Sequence, residues 1–298
     1  MGQKTNASIF RLGLKNSEWK YKYLEKNTEE STLFLYKNVE IVNYINTMFK
    51  HYNLLIHSCK IEYNQDSINI LILFFELKTS KAKKSDLFYY STLKHCKEVV
   101  KKFDSYSSED QRSLTKPKKK LTLFLIKNLL TTCLNLFIKN KTINIKTQNL
   151  NKKFESNLKQ NRYYFLEYKK TLKILKRFLK VSEQKNLIKI LFISATEKNS
   201  AKLLADIISI YLNKHKKKHY FLFFLLKKTL TVLVKVKFSK IKGIKITVAG
   251  RFRGVLRAKK KTLTIGSIPL QSLNSNVNYY NSTSFTQNGT FGIKVWVC

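Results

Sequence analysis

The stretch GIKITVAGRFRGVLRAKKKTLTIGSIPL, Gly243 to Leu270, decides the fold of the C-terminal third. Apolar residues alternate with polar ones from Ile244 to Val248 and again through Leu263 and Ile265, the two-residue period of a half-buried strand. Four of the chain's eight glycines lie in it, at points where glycine permits turns, bulges and close approach of another backbone. It also carries seven cations and no carboxylate. Like charges set opposite one another destabilise a sheet. Strands this rich in unpaired Lys and Arg therefore call for neutralisation from outside the chain.

The whole chain repeats that imbalance. Its 298 residues, enough for two ordinary domains or one domain with a large insertion, include 58 Lys and Arg against 18 Asp and Glu, a net charge of +40. With 43% apolar residues it can build a core, but self-repulsion at this charge opposes compaction unless a polyanion is present. Nucleic acid is the first candidate and an anionic membrane surface the second. After Asp206 the remaining 92 residues hold eighteen Lys and Arg and no acid, so this part has neither paired carboxylates for catalysis nor oxygen ligands for Mg²⁺ or Ca²⁺. Cys59, Cys96, Cys133 and Cys298 show no C-x-x-C spacing and the five histidines form no matching ligand set. No metal or other cofactor is expected, and the cysteines are read as thiols in a reducing compartment. The N-terminal residues lack the apolar segment of a secretory signal. The window Leu121 to Ile138 is broken by Lys127 and Asn128, and Tyr220 to Leu226 is too short for a span. Heavy use of Lys, Asn, Ile, Leu, Phe and Tyr matches AT-rich codons, as in a compact organellar genome.

Along the chain, Val39 to Tyr52 has helical periodicity, and two strands follow from Leu54, joined at Asn64 to Asp66. Asp86 can cap a helix carrying Leu87, Tyr90, Leu93, Cys96 and Val100 on one face. From Asp104 to about Asn186 the composition turns polar and Lys/Asn-rich, with helical periodicities and the character of an insertion. LIKILFISA, from Leu187, reads as a short apolar strand. A capped helix follows through AKLLADIISIYL, then a second over Lys218 to Phe238. The end is expected to be a small, mostly antiparallel sheet with these two helices on one face. Phe291 and Trp296 are read as core residues of its last strand.

The opening MGQKTNASIFRLG, the helix AKLLADIISIYL, the tract from Gly243 to Tyr280 and the ending GTFGIKVWVC together resemble the small-subunit ribosomal protein S-three family. The resemblance implies an α+β fold: an arm over 1–38, a type II K-homology-like domain over 39–199 interrupted by a basic insertion at about 104–186, and a C-terminal α/β domain over 200–298. It implies a structural, non-catalytic constituent of the small ribosomal subunit. Its partners would be ribosomal RNA in the subunit head, messenger RNA at the entry channel and neighbouring head proteins, without a membrane. With the codon bias, the mitochondrial matrix is the expected compartment, a plastid or a bacterial cytoplasm being the alternatives. K-homology domains clamp four nucleotides with a G-x-x-G loop. This chain has no glycine between Gly13 and Gly243, and KTSKAKKS is taken to stand at that loop's place, offering Lys81, Lys83 and Lys84 instead.

The expected RNA contacts are Gln3, Lys4 and Arg11 in the arm, Lys227 and Lys228 in the second helix, and Arg251, Arg253, Arg257, Lys259, Lys260 and Lys261 around the turn at Gly254. The two lysines lie amid Leu and Val on a helix that must bury its other face, which sends both ammonium groups to the surface. The resemblance makes them the messenger-facing pair. Arginine's planar fork suits phosphate oxygens, whereas lysine acts as a point charge. The competing reading is an RNA-processing enzyme such as a nuclease, for which the acid-free third supplies neither metal ligands nor a histidine cluster beyond His215 and His219.

Overall fold

The computed structural model describes residues 5–13, 19–77, 118–138, 141–175, 182–196, 201–214, 219–235 and 241–298. Two helix-on-sheet layers follow one another along the chain. The first opens with the short strand β1 (Tyr21–Lys22) and helix α1 (Glu30–His51), continues through β2 (Leu54–Tyr63) and β3 (Ser67–Glu76), and is completed by α2 (Lys118–Phe137) and β4 (Thr142–Asn149). The strands lie in chain order, β2 and β3 antiparallel and both outer pairs parallel. Ile41, Ile45 and Phe49 recur every four residues on α1, and Ile126, Leu130 and Leu134 on α2, so each helix presents one buried row to the same sheet face. That face carries Ile68, Ile70, Ile72 and Phe74 of β3.

Two local devices keep the first layer in register. Asn53 sits at φ 55° between α1 and β2, its N–H donating to the Lys50 carbonyl. This left-handed position at a helix end is usually glycine's, and Asn is among the few other residues that visit it routinely. On β2 the pairing with β3 shifts between Ile56 and Ser58. A one-residue shift reverses the side-chain alternation, so Leu54 and Ile56 before it and Cys59 and Ile61 after it all face the core. Burial there pushes the Cys59 thiol up to about 11.

The second layer begins with α3 (Leu150–Gln160), α4 (Arg162–Leu175), α5 (Ser182–Thr196), α6 (Ala201–Lys214) and α7 (His219–Lys235). Its sheet comprises β5 (Gly243–Gly250), β6 (Lys259–Gly266), β7 (Asn278–Thr286) and β8 (Gly289–Val297), in the order β6-β5-β8-β7 with each neighbouring pair antiparallel. Ile244, Ile246 and Val248 of β5 and Phe291, Ile293, Val295 and Val297 of β8 form one core with the buried faces of α5, α6 and α7. Leu55 and Phe75 of the first sheet join this core, so the two layers pack together.

Several expectations need correction. LIKILFISA is part of helix α5, with Leu187, Ile188, Ile190, Leu191, Phe192, Ile193 and Ala195 all buried. A short apolar run has no period to separate strand from buried helix. The second sheet takes all of its strands from Gly243 onward, and Ser194 satisfies its hydroxyl within the helix, on the Leu191 carbonyl. Within the Lys/Asn-rich stretch, Thr142–Asn149 is not helical but extends β3 in parallel, residue for residue from Ser67↔Thr142 to Phe74↔Asn149. Its polar residues lie on an exposed edge, where only Ile145 and Asn149 are buried. Trp296 is not core: it projects from the face of β8 opposite Phe291, Ile293, Val295 and Val297. The helix expected after Asp86 lies outside the described residues.

Asp206 and Lys202, one turn apart on α6, are both half-buried where the layers meet. Desolvation raises the Asp206 carboxyl pKa, opposed by Lys202 and Lys50, and lowers that of the Lys202 ammonium, opposed mainly by Asp206. Lys202 also reaches Asn46 of α1 at 3.5 Å, and Ser282 of β7 donates to Asp206 at 3.4 Å. Removing one member of such a pair strands the other, at a cost of about 3 kcal/mol. Asp206→Ala is therefore expected to lower the denaturant midpoint sharply, and the double change Asp206→Ala with Lys202→Met to recover much of the loss. Chemical unfolding of the three chains checks this.

Candidate nucleic-acid interface

The basic surface is built on α7 and the β5–β6 connection. Leu222, Leu225, Leu226, Leu230 and Leu233 bury one face of α7, and Thr229 joins them by donating to the Leu225 and Leu226 carbonyls. The opposite face exposes Tyr220, Phe224, Lys227 and Lys228. Both lysines thus stand outward as expected, and the Lys228 ammonium lies 5.8 Å from the Phe224 ring centroid.

In the connection, Phe252 is the anchor. It is buried with its ring 5.3 Å from Phe291, 5.8 Å from Phe223 and 6.1 Å from His219. Gly250 lets the strand end lie flat on that core, since a Cβ there would run into the Phe291 ring. With Phe252 held inside, Arg253 at φ 57° and Gly254 at φ 77° reverse the chain. Arg251 and Arg257 are left exposed, and the Arg251 Nε donates to the Val255 carbonyl at 3.1 Å. The Arg253 guanidinium carbon lies 4.4 Å, and the Lys261 ammonium 3.1 Å, from the Tyr220 ring centroid. Tyr220 thereby gathers a cation from each end of the connection onto the first turn of α7, a favourable arrangement for an aromatic face. Lys227 and Lys228 follow two turns later, roughly 10 to 12 Å along the axis.

The strands also resolve the repulsion problem. Lys259, Lys260 and Lys261 stand opposite Gly250, Ala249 and Val248. Lys245 stands opposite Thr264 and Trp296, and Lys294 opposite Thr247 and Asn281. No two cations of this sheet are directly paired, so the repulsive cross-strand term is avoided. Alternation also splits the lysine run: Lys259 and Lys261 share the helix-covered side, and Lys260 points the other way.

The arm departs from expectation. Gln3 and Lys4 lie outside the described residues, as do Lys81, Lys83, Lys84 and His215. Arg11 is 6% exposed, its guanidinium donating to the carbonyls of Ala7, Leu270 and Ser272 at 2.8 to 2.9 Å. It serves as an internal clasp rather than a phosphate contact, because three carbonyl acceptors already surround it. Ile9, Phe10 and Leu12 are exposed. Sequence reasoning also missed Tyr220 and Phe224. Their spacing with Lys228, four residues each, was the available signal.

Residues 227–297 match the family model of the ribosomal protein S3 C-terminal domain. The second sheet and the end of the helix before it thus form an S3-like domain. Relatives match over about a fifth of the chain. Small ribosomal subunit protein uS3c of Chara vulgaris is 44% identical over 61 residues, 20% of this chain and 28% of the relative. That of Cyanidioschyzon merolae is 42% identical over 57 residues, 19% and 28%. Small ribosomal subunit protein uS3 of Aquifex pyrophilus is 39% identical over 56 residues, 19% and 24%. The chain thus spans less than a third of the length of these relatives. In the S3 domain the left-handed Arg253 is a test of the turn. Arg253→Val puts a β-branched residue there and is expected to lose about 1 to 2 kcal/mol. Arg253→Gly removes the backbone strain and is expected to hold the midpoint close to that of the parent chain. Denaturant unfolding distinguishes them.

Proposed function

We propose that this protein is a structural constituent of a small ribosomal subunit that binds ribosomal RNA through the outer face of α7 and the β5–β6 connection. The observation that carries the proposal is the charge of the C-terminal third: eighteen Lys and Arg and no acid after Asp206, with Asp206 itself half-buried near Lys202. Arg251, Arg253, Arg257, Lys259 and Lys261 contact phosphate, which fixes position without reading bases. Lys260 contributes from the opposite face. Lys227 and Lys228, outermost on α7, give the messenger entry path a positive wall, and neighbouring head proteins cover adjoining surfaces.

In this proposal the chain divides at 1–38, 39–199 and 200–298. The first layer is a K-homology-like domain of type II, a reading supported by the mixed sheet β2-β3-β4 with α1 and α2 on one face. Without glycine from 14 to 242 it cannot form a G-x-x-G clamp, and it acts as a spacer and protein contact. The ribosome is mitochondrial, in keeping with the codon bias, while the similar proteins named above include organellar and bacterial-type forms. None of the described helices is long and apolar enough to cross a membrane.

Gradient fractionation of the source organelle is expected to recover the chain with the small subunit in stoichiometric amount; recovery solely in the free pool overturns the proposal. For the purified chain, replacing Arg251, Arg253 and Arg257 by Ala is expected to weaken ribosomal RNA binding and to flatten the plot of log affinity against log salt by about two to three units, roughly one per lost phosphate contact. An unchanged slope removes these arginines from the interface.

A further inference from the structure

Lys260 apart, the helix-free face of the second sheet has no role in the interface described above. Its rows are set by register. Thr264, Lys245, Trp296 and Tyr279 form one row across β6, β5, β8 and β7; Thr262, Thr247, Lys294 and Asn281 form the next; Lys260, Ala249, Gly292 and Thr283 the third. Phe285 lies beyond them on β7, paired with Thr290 and 71% exposed. Between the lysines the floor is low: Gly292 has open space where a Cβ would stand, and Ala249, Thr262 and Thr283 are exposed and small. Each of the three rows carries one lysine, Lys245, Lys294 and Lys260, and no carboxylate is present on any of these strands.

The aromatic end is already ordered. The Tyr279 and Trp296 rings pack 5.1 Å apart at 42°, and the Lys245 ammonium lies 5.4 Å from the Trp296 centroid. The backbone of Tyr279 is held by the Ser8 hydroxyl, which accepts from its N–H at 2.8 Å. A monomer's open sheet face is ordinarily a mixture of both charges and polar residues. Aromatic rings beside cations on a floor of small residues are instead what lets unpaired bases stack while lysines follow the backbone.

We propose that this face is a second RNA site, which holds a single-stranded segment by stacking bases on Trp296 and Tyr279 and pairing its phosphates with Lys245, Lys294 and Lys260. It rests on the RNA-binding reading above but is independent of α7 and of the arginine connection. An acidic protein surface is the rival occupant. Charge alone would suit it, but the half-exposed ring pair and the low floor of small residues favour bases.

The test uses the full chain carrying Trp19→Phe, which leaves Trp296 as its only tryptophan. Titration with a short oligouridylate is expected to quench Trp296 fluorescence, and an RNA duplex is expected to leave it nearly unchanged. Tyr279→Ala in this chain, and Trp296→Ala followed by a label on the RNA, are each expected to weaken oligouridylate binding roughly five- to hundredfold, the range for one lost stacking partner, while duplex binding holds. Trp296→Phe keeps a ring and retains most of the affinity. The pair Lys245→Ala and Lys294→Ala, which leaves the rings intact, weakens the same complex in a salt-dependent way. Oligouridylate binding without quenching, or alanine variants that weaken duplex and oligouridylate alike, overturns the stacking face and leaves the α7 interface standing. Cross-links from Lys245 and Lys294 to protein alone in the assembled subunit overturn it in favour of the rival. Failure of the parent chain to bind either RNA overturns the underlying reading together with this one.

Discussion

Mutual repulsion among cations, with no acid of the domain's own to relieve it, is the constraint to which the S3 domain is fitted. The register of the four strands sets each of their lysines opposite an uncharged partner. The arginines are moved off the sheet into a turn pinned by buried Phe252. Two of the turn's cations are partly quenched on the Tyr220 ring. What remains faces outward, where water screens it and a polyanion can replace the water. The fold thus limits its own repulsion and still carries a field that drives association.

The same logic explains the last acid of the chain, which stands on α6 outside that domain. Asp206 is withdrawn from the surface, so it does not blunt the outer potential, and it supplies countercharge to Lys202 and Lys50 at the meeting of the two layers. A carboxylate on α7 or on the turn would cancel a phosphate contact. One beneath the sheet acts on cohesion instead.

The C-terminal half was the more legible in the sequence because its elements carry unambiguous periods. Ile244, Ile246 and Val248 alternate, Leu203, Ile207, Ile210 and Tyr211 keep helical spacing, and glycines mark the turns. Lys227 and Lys228 followed from the apolar residues beside them. Sequence reading failed where period is absent or partners are remote. LIKILFISA is apolar at nearly every position, so only the surrounding core selects the helix. Thr142–Asn149 has almost no apolar residues, and its strand is held by backbone pairing with β3, from which it is separated by more than sixty residues. Arg11 resembles any surface arginine until the carbonyls of Leu270 and Ser272 come into view. Trp296 was assigned to the wrong side because hydrophobicity, without register, does not say which of two alternating sets is covered.

The clasp at Arg11 joins residues 259 and 261 positions apart, and Ser8 meets Tyr279 across 271. Contacts this remote in sequence carry a large loop-closure cost. Both layers can condense from nearer contacts, so the seam is set to close after them and to open before them under mild denaturation.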